Sequence, residues 1–227
     1  LTTGSNPLLG LEVQLESTAE QVAGAVRDAI IDGRLAQGTY LREAPLSQRF
    51  RVSRNTIREA TQILVGEGLV TREMHRGAFV TRLGKEDIED LYRVRRIVEL
   101  AAVEHAAKGD RSGLHAAVKD LGQASRDGKR ADIIDTDLRF HRELVELMGS
   151  DRLGALYQSV EGELRLCLAL VGSSYEDPAI ALTEHEAVLA ALDRGDAGRA
   201  EDLLAAHLHA AEQGLLEQLD EPAAAPE

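Results

Sequence analysis

From Thr18 onward, apolar residues recur at helical spacing. Val22, Ala25, Val26, Ala29 and Ile30 lie three or four positions apart and line one face of an amphipathic helix, which Gly33 and Gly38 bring to an end. A short second helix is predicted around Pro45 to Phe50. Ser53 then stands as an N-cap before a third helix whose apolar face is Ile57, Ala60, Ile63 and Leu64, with Gly66 and Gly68 stopping it. Two alternating stretches follow, Leu69 to Arg72 and Ala78 to Thr81, separated by a turn at His75, Arg76 and Gly77. Three helices and a β-hairpin over residues 18–82 predict a winged helix-turn-helix. Beyond Gly84 the strand signal disappears. Helical periods are predicted near 85–108, 112–127, 130–149, 151–172, 177–194 and 196–219, punctuated by Gly109, Gly128, Gly149, Gly172 and Gly195. Asp177 before Pro178 reads as a cap followed by a first-turn proline. The expected fold is mainly α: the winged head, then an all-α antiparallel bundle over residues 83–220. Residues 1–17 are expected to form a loose arm, and residues 221–227 a loose tail.

Charge changes this picture. The 227 residues carry 26 lysines plus arginines against 39 acids, a net −13 that taken alone argues against a nucleic-acid partner. Its distribution reverses that inference for the head. Residues 20–82 hold ten arginines against seven acids, a balance of +3, whereas residues 83–227 balance to −14. Glu12 and Glu16 account for the rest. A basic head on an acidic body suggests a nucleic-acid-binding module joined to something else. A single cysteine, Cys167, excludes a disulfide framework and a cysteine-rich zinc module, and reads as a small core residue in a cytoplasmic protein. At 3% aromatic residues and no tryptophan, a stacking platform for single strands is not expected. No apolar run approaches the roughly 20 residues of a membrane span, and the N-terminus lacks a signal-peptide pattern.

In a helix-turn-helix the second helix of the motif enters the major groove, and its first turn reaches base edges. Arg54, Asn55, Thr56 and Arg58 occupy those positions. Arginine reads guanine and asparagine reads adenine by paired hydrogen bonds, while Ser53 and the free N–H groups at the helix start suit a phosphate. At the hairpin tip, Gly77 would permit close approach to a backbone, and His75 or Arg76 would meet a phosphate or the minor groove. The bland alternative is that these arginines only solvate a helix face, as Arg49, Arg51 and Arg72 also could.

A second constellation lies in the bundle. Asp137 and His141 are four apart on one helix face, a spacing that can chelate one ion, and His185 and His207 come from two later helices. Three imidazoles and a carboxylate suit a divalent transition metal, zinc, nickel, iron or manganese, better than calcium or magnesium. On spacing alone, surface or satisfied core histidines are the commoner explanation of such a pattern. His105, His115 and His209 read as solvated or as facing elsewhere.

The run AIIDGRLAQGTYLREAPLSQRFRVSRNTIREATQILVGEGLV from Ala29, followed by HRGAFV, resembles the GntR family of bacterial transcription regulators over the whole head. The stretches DLYRVRRIVELAAVEHAA, DLRFHRELVELMGSDRL and TEHEAVLAALDRGDAGRAEDLLAAHL resemble the FCD ligand-binding domain of its FadR-type branch. The resemblance implies that Arg54, Asn55, Arg58 and the wing around Gly77 contact double-stranded operator DNA. It departs from the common pattern at Asn55-Thr56, where many members have Thr-Pro, and at Ala44, where a polar residue is usual, so it does not carry an operator sequence. For the bundle it implies a metal, zinc first, on Asp137, His141, His185 and His207, and a small carboxylate effector. Arg95, four residues before Glu99, matches the family's Arg-then-Glu pattern and is the expected effector-binding cation, unless it is only a structural partner of Glu99 or of an acid on a neighbouring helix. Arg165 is a second candidate. Four protein ligands fill a tetrahedral site, which disfavours metal-dependent hydrolysis. The expectation is therefore a homodimeric, effector-responsive regulator, in which the linker near Thr81 to Lys85 reorients the heads; the alternatives are a regulator sensing the metal itself, or an enzyme.

Overall fold

A computed structural model describes residues 17–170 and 178–220. The expected arm and tail lie outside these residues apart from Ser17, as do Asp177 with its cap and the last two positions of the 151–172 helix.

The head starts with α1, Thr18–Ile31. Ser17 and Glu20 form a reciprocal capping box there: the serine oxygen accepts from the Glu20 amide, and the Glu20 carboxylate accepts from the Ser17 amide. Helix α2 spans Glu43–Phe50, two residues longer at its start than the apolar pattern indicates. Pro45 fits inside this first turn because amides there have no intrahelical acceptor and the missing N–H costs nothing. Helix α3, Arg54–Gly66, begins where Ser53 accepts the Thr56 amide at 3.1 Å. Strands β1, Val70–Glu73, and β2, Gly77–Val80, form an antiparallel hairpin in which Val70 faces Val80. Each strand is displaced by one residue from the alternation predicted for it, toward the turn in β2 and past Arg72 in β1. Tyr40 bridges to Phe79 and stacks on its ring at 4.9 Å, adding a short third rung to the wing. Val22, Val26 and Ile30 of α1 close the core with Ile57 and Leu64 of α3 and with Leu69 and Val80.

The body is a bundle of α4 Lys85–Ala106, α5 Ser112–Asp127, α6 Arg130–Glu146, α7 Asp151–Leu170, α8 Pro178–Asp193 and α9 Ala197–Asp220. Helix α4 packs along α9, α6 lies between α5 and α7, and α8 rests on α5 and α9. Two predicted helices end early. After Ala106 and after Glu146 the amides of Lys108, Met148 and Gly149 bond three residues back rather than four, so the chain tightens into a turn before the left-handed Gly149. The head is seated on this bundle through α1, which packs on α6 and α7.

Candidate metal centre and nucleic-acid interface

Asp137 and His141 of α6, His185 of α8 and His207 of α9 converge in the bundle, with their four ligand atoms within 4.8 Å of one another. All four residues are buried. His141 Nε2 lies 3.1 Å from His185 Nε2 and 3.3 Å from His207 Nε2, and His185 Nε2 is 3.5 Å from Asp137 Oδ1. Two nitrogens bound to one ion at the usual distances of about 2.1 Å sit about 3.0 to 3.4 Å apart, depending on the angle at the ion.

The proton positions follow from the outer partners. His141 Nδ1 is 2.7 Å from Glu99 Oε2, His185 Nδ1 faces the Ala181 carbonyl at 2.5 Å, and His207 Nδ1 is 2.7 Å from Glu184 Oε2. Each outer partner is an acceptor, so each Nδ1 carries the proton and donates it. Three Nε2 lone pairs and a carboxylate therefore point at one another, an arrangement that repels itself unless a cation sits among them. Burial reinforces it by holding the ring of His141 below its ordinary pKa and that of His185 at about 3, so both remain neutral electron-pair donors. The residues present fit a divalent transition metal. Three imidazoles and a carboxylate form a suitable donor set.

Next to the cluster, α4 places a buried ion pair. Arg95 donates from Nε to Glu99 Oε1 at 2.7 Å, and both side chains are at most 1% exposed. Tyr157 of α7 donates its hydroxyl to the same Oε1 at 2.8 Å. The carboxyl of Glu99 is pulled far below the ordinary range by Arg95 and then His141, against the opposing effect of its burial. It is thus an ionised hub joining Arg95, Tyr157 and His141 of the histidine cluster. The Arg95 guanidinium lies over the Tyr92 ring at 5.0 Å, yet among the described residues its Nη2 has no hydrogen-bond partner, and neither does Asp137 Oδ1. Buried polar atoms are rarely left this way.

Arg165 is not brought to this centre. It pairs with Asp135 at 2.8 Å and with Glu161 at 3.6 Å on the face of the bundle that meets the head. His115 pairs with Asp193, and His105 and His209 are exposed. Cys167 is fully buried, and burial pushes its thiol up to about 12, so it remains protonated packing material. Glu184, Tyr92 and Tyr157 were not singled out from the sequence. Tyr92 is three residues before Arg95, a helical spacing that signals contact, whereas nothing local marks Glu184 or Tyr157 as partners of residues on other helices.

In the head, Arg54, Asn55 and Arg58 are exposed on the first turns of α3, and Thr56 is half-buried against the Ser53 hydroxyl at 2.9 Å. Two acids hold this surface in order: Glu59 accepts from Asn55 Nδ2 at 2.7 Å, and Glu43 of α2 accepts from Arg58 Nε at 2.8 Å. The spacing of Asn55 and Glu59 made that pair readable; Glu43, fifteen residues from Arg58, was not. At the wing, His75 is exposed with a left-handed backbone, and Arg76 pairs with Glu73 while lying over the Phe79 ring at 5.6 Å. Gly77 serves a purpose inside the head. Its φ is +108°, and a Cβ there would come within 2.5 Å of the Tyr40 ring, so the glycine accommodates Tyr40 rather than leaving its α-carbon open to a ligand.

Comparison with known proteins decides what this pairing of units is. Residues 18–80 match the family described as "Bacterial regulatory proteins, gntR family", and residues 90–210 match the FCD domain. The chain belongs to the GntR family. It is 28% identical over 202 residues to the gluconate operon transcriptional repressor of Bacillus licheniformis, covering 85% of this chain and 81% of that one. It is 25% identical over 194 residues to the HTH-type transcriptional regulator YdhC of Bacillus subtilis, covering 83% of this chain and 87% of that one. Among solved structures, a GntR transcriptional regulator from Rhodococcus sp. RHA1 superposes with a TM-score of 0.75 at 36% identity, covering 88% of this chain and 97% of that one. This GntR regulator is a DNA-binding transcription factor with an FCD domain, not an enzyme. No helix among its described residues is long and apolar enough to cross a membrane.

Proposed function

We propose that this regulator acts as a homodimer whose operator affinity is set by a small carboxylate bound beside a zinc ion, the ion held by Asp137, His141, His185 and His207. The observation that carries this reading is the buried Arg95 Nη2, without a hydrogen-bond partner among the described residues, beside the convergent ligand set. A carboxylate is the group that satisfies such a guanidinium N–H, because a charge-assisted bond replaces the missing partner. A bound divalent ion would supply a positive centre able to accept a second carboxylate oxygen. Glu99 holds Arg95 from one side and orients His141 from the other, while Phe140, 4.5 Å from the His185 ring, shields the site with an apolar edge. Gluconate, after which the operon controlled by the Bacillus licheniformis relative is named, is a carboxylate. Arg165, tied to two acids away from the cluster, has no part in this effector site.

On the DNA side, Arg54, Asn55, Thr56 and Arg58 read bases in the major groove, with Ser53, His75, Arg76 and the Gly77 turn lying along the backbone. Two heads would occupy the half-sites of a palindromic operator, matching the symmetry of the protein. Residues 18–82 form the reading unit and residues 83–220 the sensing and dimerising one. Metal analysis of purified protein, followed by operator titrations of the zinc-loaded form with a panel of small carboxylates, tests the reading. One carboxylate should change operator affinity several-fold, and Arg95→Met should abolish that change while zinc remains bound. Operator affinity that follows metal removal but no carboxylate would instead identify a sensor of the metal.

A further inference from the structure

The middle of α7 carries a glycine at 162, where alanine would favour the helix more. What requires the glycine is the head. A Cβ at Gly162 would fall onto the backbone carbonyl of Glu67, the C-cap residue of α3, and the next residue, Gly68, faces the Glu163 side chain and backbone. The end of the recognition helix therefore rests directly on the α7 backbone, with no side chain between them. Arg27 of α1 clamps Glu67 through two guanidinium bonds, fixing the contacting carbonyl within the head. On the bundle side, Glu161 accepts from Arg142 at 2.8 Å and lies 3.6 Å from Arg165, so α7 is tied to α6 beside the same joint.

Five residues earlier, about 7.5 Å along the same helix axis and roughly 140° around it, Tyr157 points the other way and donates to Glu99. Glu99 in turn holds His141, one of the four metal-facing residues. One rigid helix thus touches the metal centre's outer hydrogen-bond shell on one face and the recognition helix's end on the opposite face.

We propose that α7 is the coupling element of this regulator: through Tyr157 it responds to the state of the metal centre, and through the Gly162 joint it sets the orientation of the recognition helix. The proposal deepens, and rests on, the reading that the bundle controls operator affinity. It places the signal on a packed helix–helix joint rather than on the linker between head and bundle alone.

The test uses the full chain, either zinc-loaded or stripped with a chelator, with spin labels introduced by Arg34→Cys and Glu104→Cys; buried Cys167 does not compete for label. Three quantities are read: zinc affinity, the head-to-bundle distance distribution, and affinity for an operator duplex selected in vitro by the wild-type protein. Wild type should change both distance and operator affinity on zinc loading. Gly162→Ala should bind zinc within about twofold of wild type but show a broad distribution that zinc no longer alters, and its zinc-dependent change in operator affinity should fall below about twofold. Tyr157→Phe, at the other end of the helix, should keep the narrow distribution of wild type and lose only the response; it also serves if Gly162→Ala does not fold. If both variants retain the wild-type zinc response, or if zinc changes operator affinity without any change in distance, α7 is not the coupling element, although the sensing reading survives. If the distance responds and the variants abolish it, yet neither zinc nor any carboxylate changes operator affinity, the coupling stands and the sensing reading falls.

Discussion

The most consequential residue in the bundle is Glu99, because a single ionised carboxylate serves Arg95, Tyr157 and His141 together. Removing its charge leaves a buried guanidinium uncompensated, so Glu99→Gln should destabilise the fold by about 3–5 kcal/mol in a thermal or denaturant melt. A gentler probe exists at Glu184, which is 39% exposed and orients only the His207 ring. Glu184→Gln should weaken zinc binding about tenfold in a competition titration while leaving the metal-free melting temperature unchanged. The histidines also set a pH dependence for the metal-free chain. His185 is held near 3 in the fold against an ordinary 6.5, so its favourable contribution is complete above 6.5 and is lost as pH falls through that value toward 3. Melts in chelator should therefore show falling stability below pH 6.5, by up to about 1.4 kcal/mol per pH unit for each such histidine.

At the scale of elements, much was legible in the sequence because the punctuation is local. Ser53 caps α3 and Gly128 ends α5 in the left-handed region, so these boundaries fall where the pattern puts them. Pro45 shows where local rules mislead, since proline suits the interior of a first turn as well as its edge. The DxxxH pair on α6 was readable from spacing within one helix, whereas convergence of His185 and His207 depends on the packing of α8 and α9, which spacing left open and family resemblance favoured. Glu43, Glu184 and Tyr157 were invisible for the same reason: their partners lie on other elements. The Gly162 joint was hidden further, since a mid-helix glycine signals only a weak helix until the α3 carbonyl is seen against it. Two head variants separate cap from reader. Ser53→Ala should cost about 1 kcal/mol of head stability in a melt, by leaving the Thr56 amide without its acceptor. Arg58→Ala should weaken operator binding by about 1–3 kcal/mol without lowering the melting temperature, because its side chain is exposed and, among the described residues, pairs with Glu43 alone.

For the whole molecule, the division of charge gives the two units different relations to DNA. The head's lysine and arginine complement is all arginine, and the acidic bundle should be repelled by the duplex, which on the proposed reading would leave the face of α3 and the wing to approach it. Operator affinity should fall linearly with salt on logarithmic axes, with a slope that counts the phosphates neutralised by the head. On the proposed reading the bundle would contribute the opposite property, a buried interior in which a metal and an anion would be held strongly because electrostatic attraction strengthens away from water. On the proposed reading, coupling between these units would be a difference in effector affinity between two arrangements of one chain, and it must then be reciprocal. The most direct measurement is a pair of titrations on the zinc-loaded protein: operator binding with and without the active carboxylate, and carboxylate binding with and without operator. The account predicts that each ligand changes the other's affinity by the same factor, typically between about 5-fold and 150-fold. Carboxylate binding that leaves operator affinity unchanged, with operator equally without effect on the carboxylate, would contradict it.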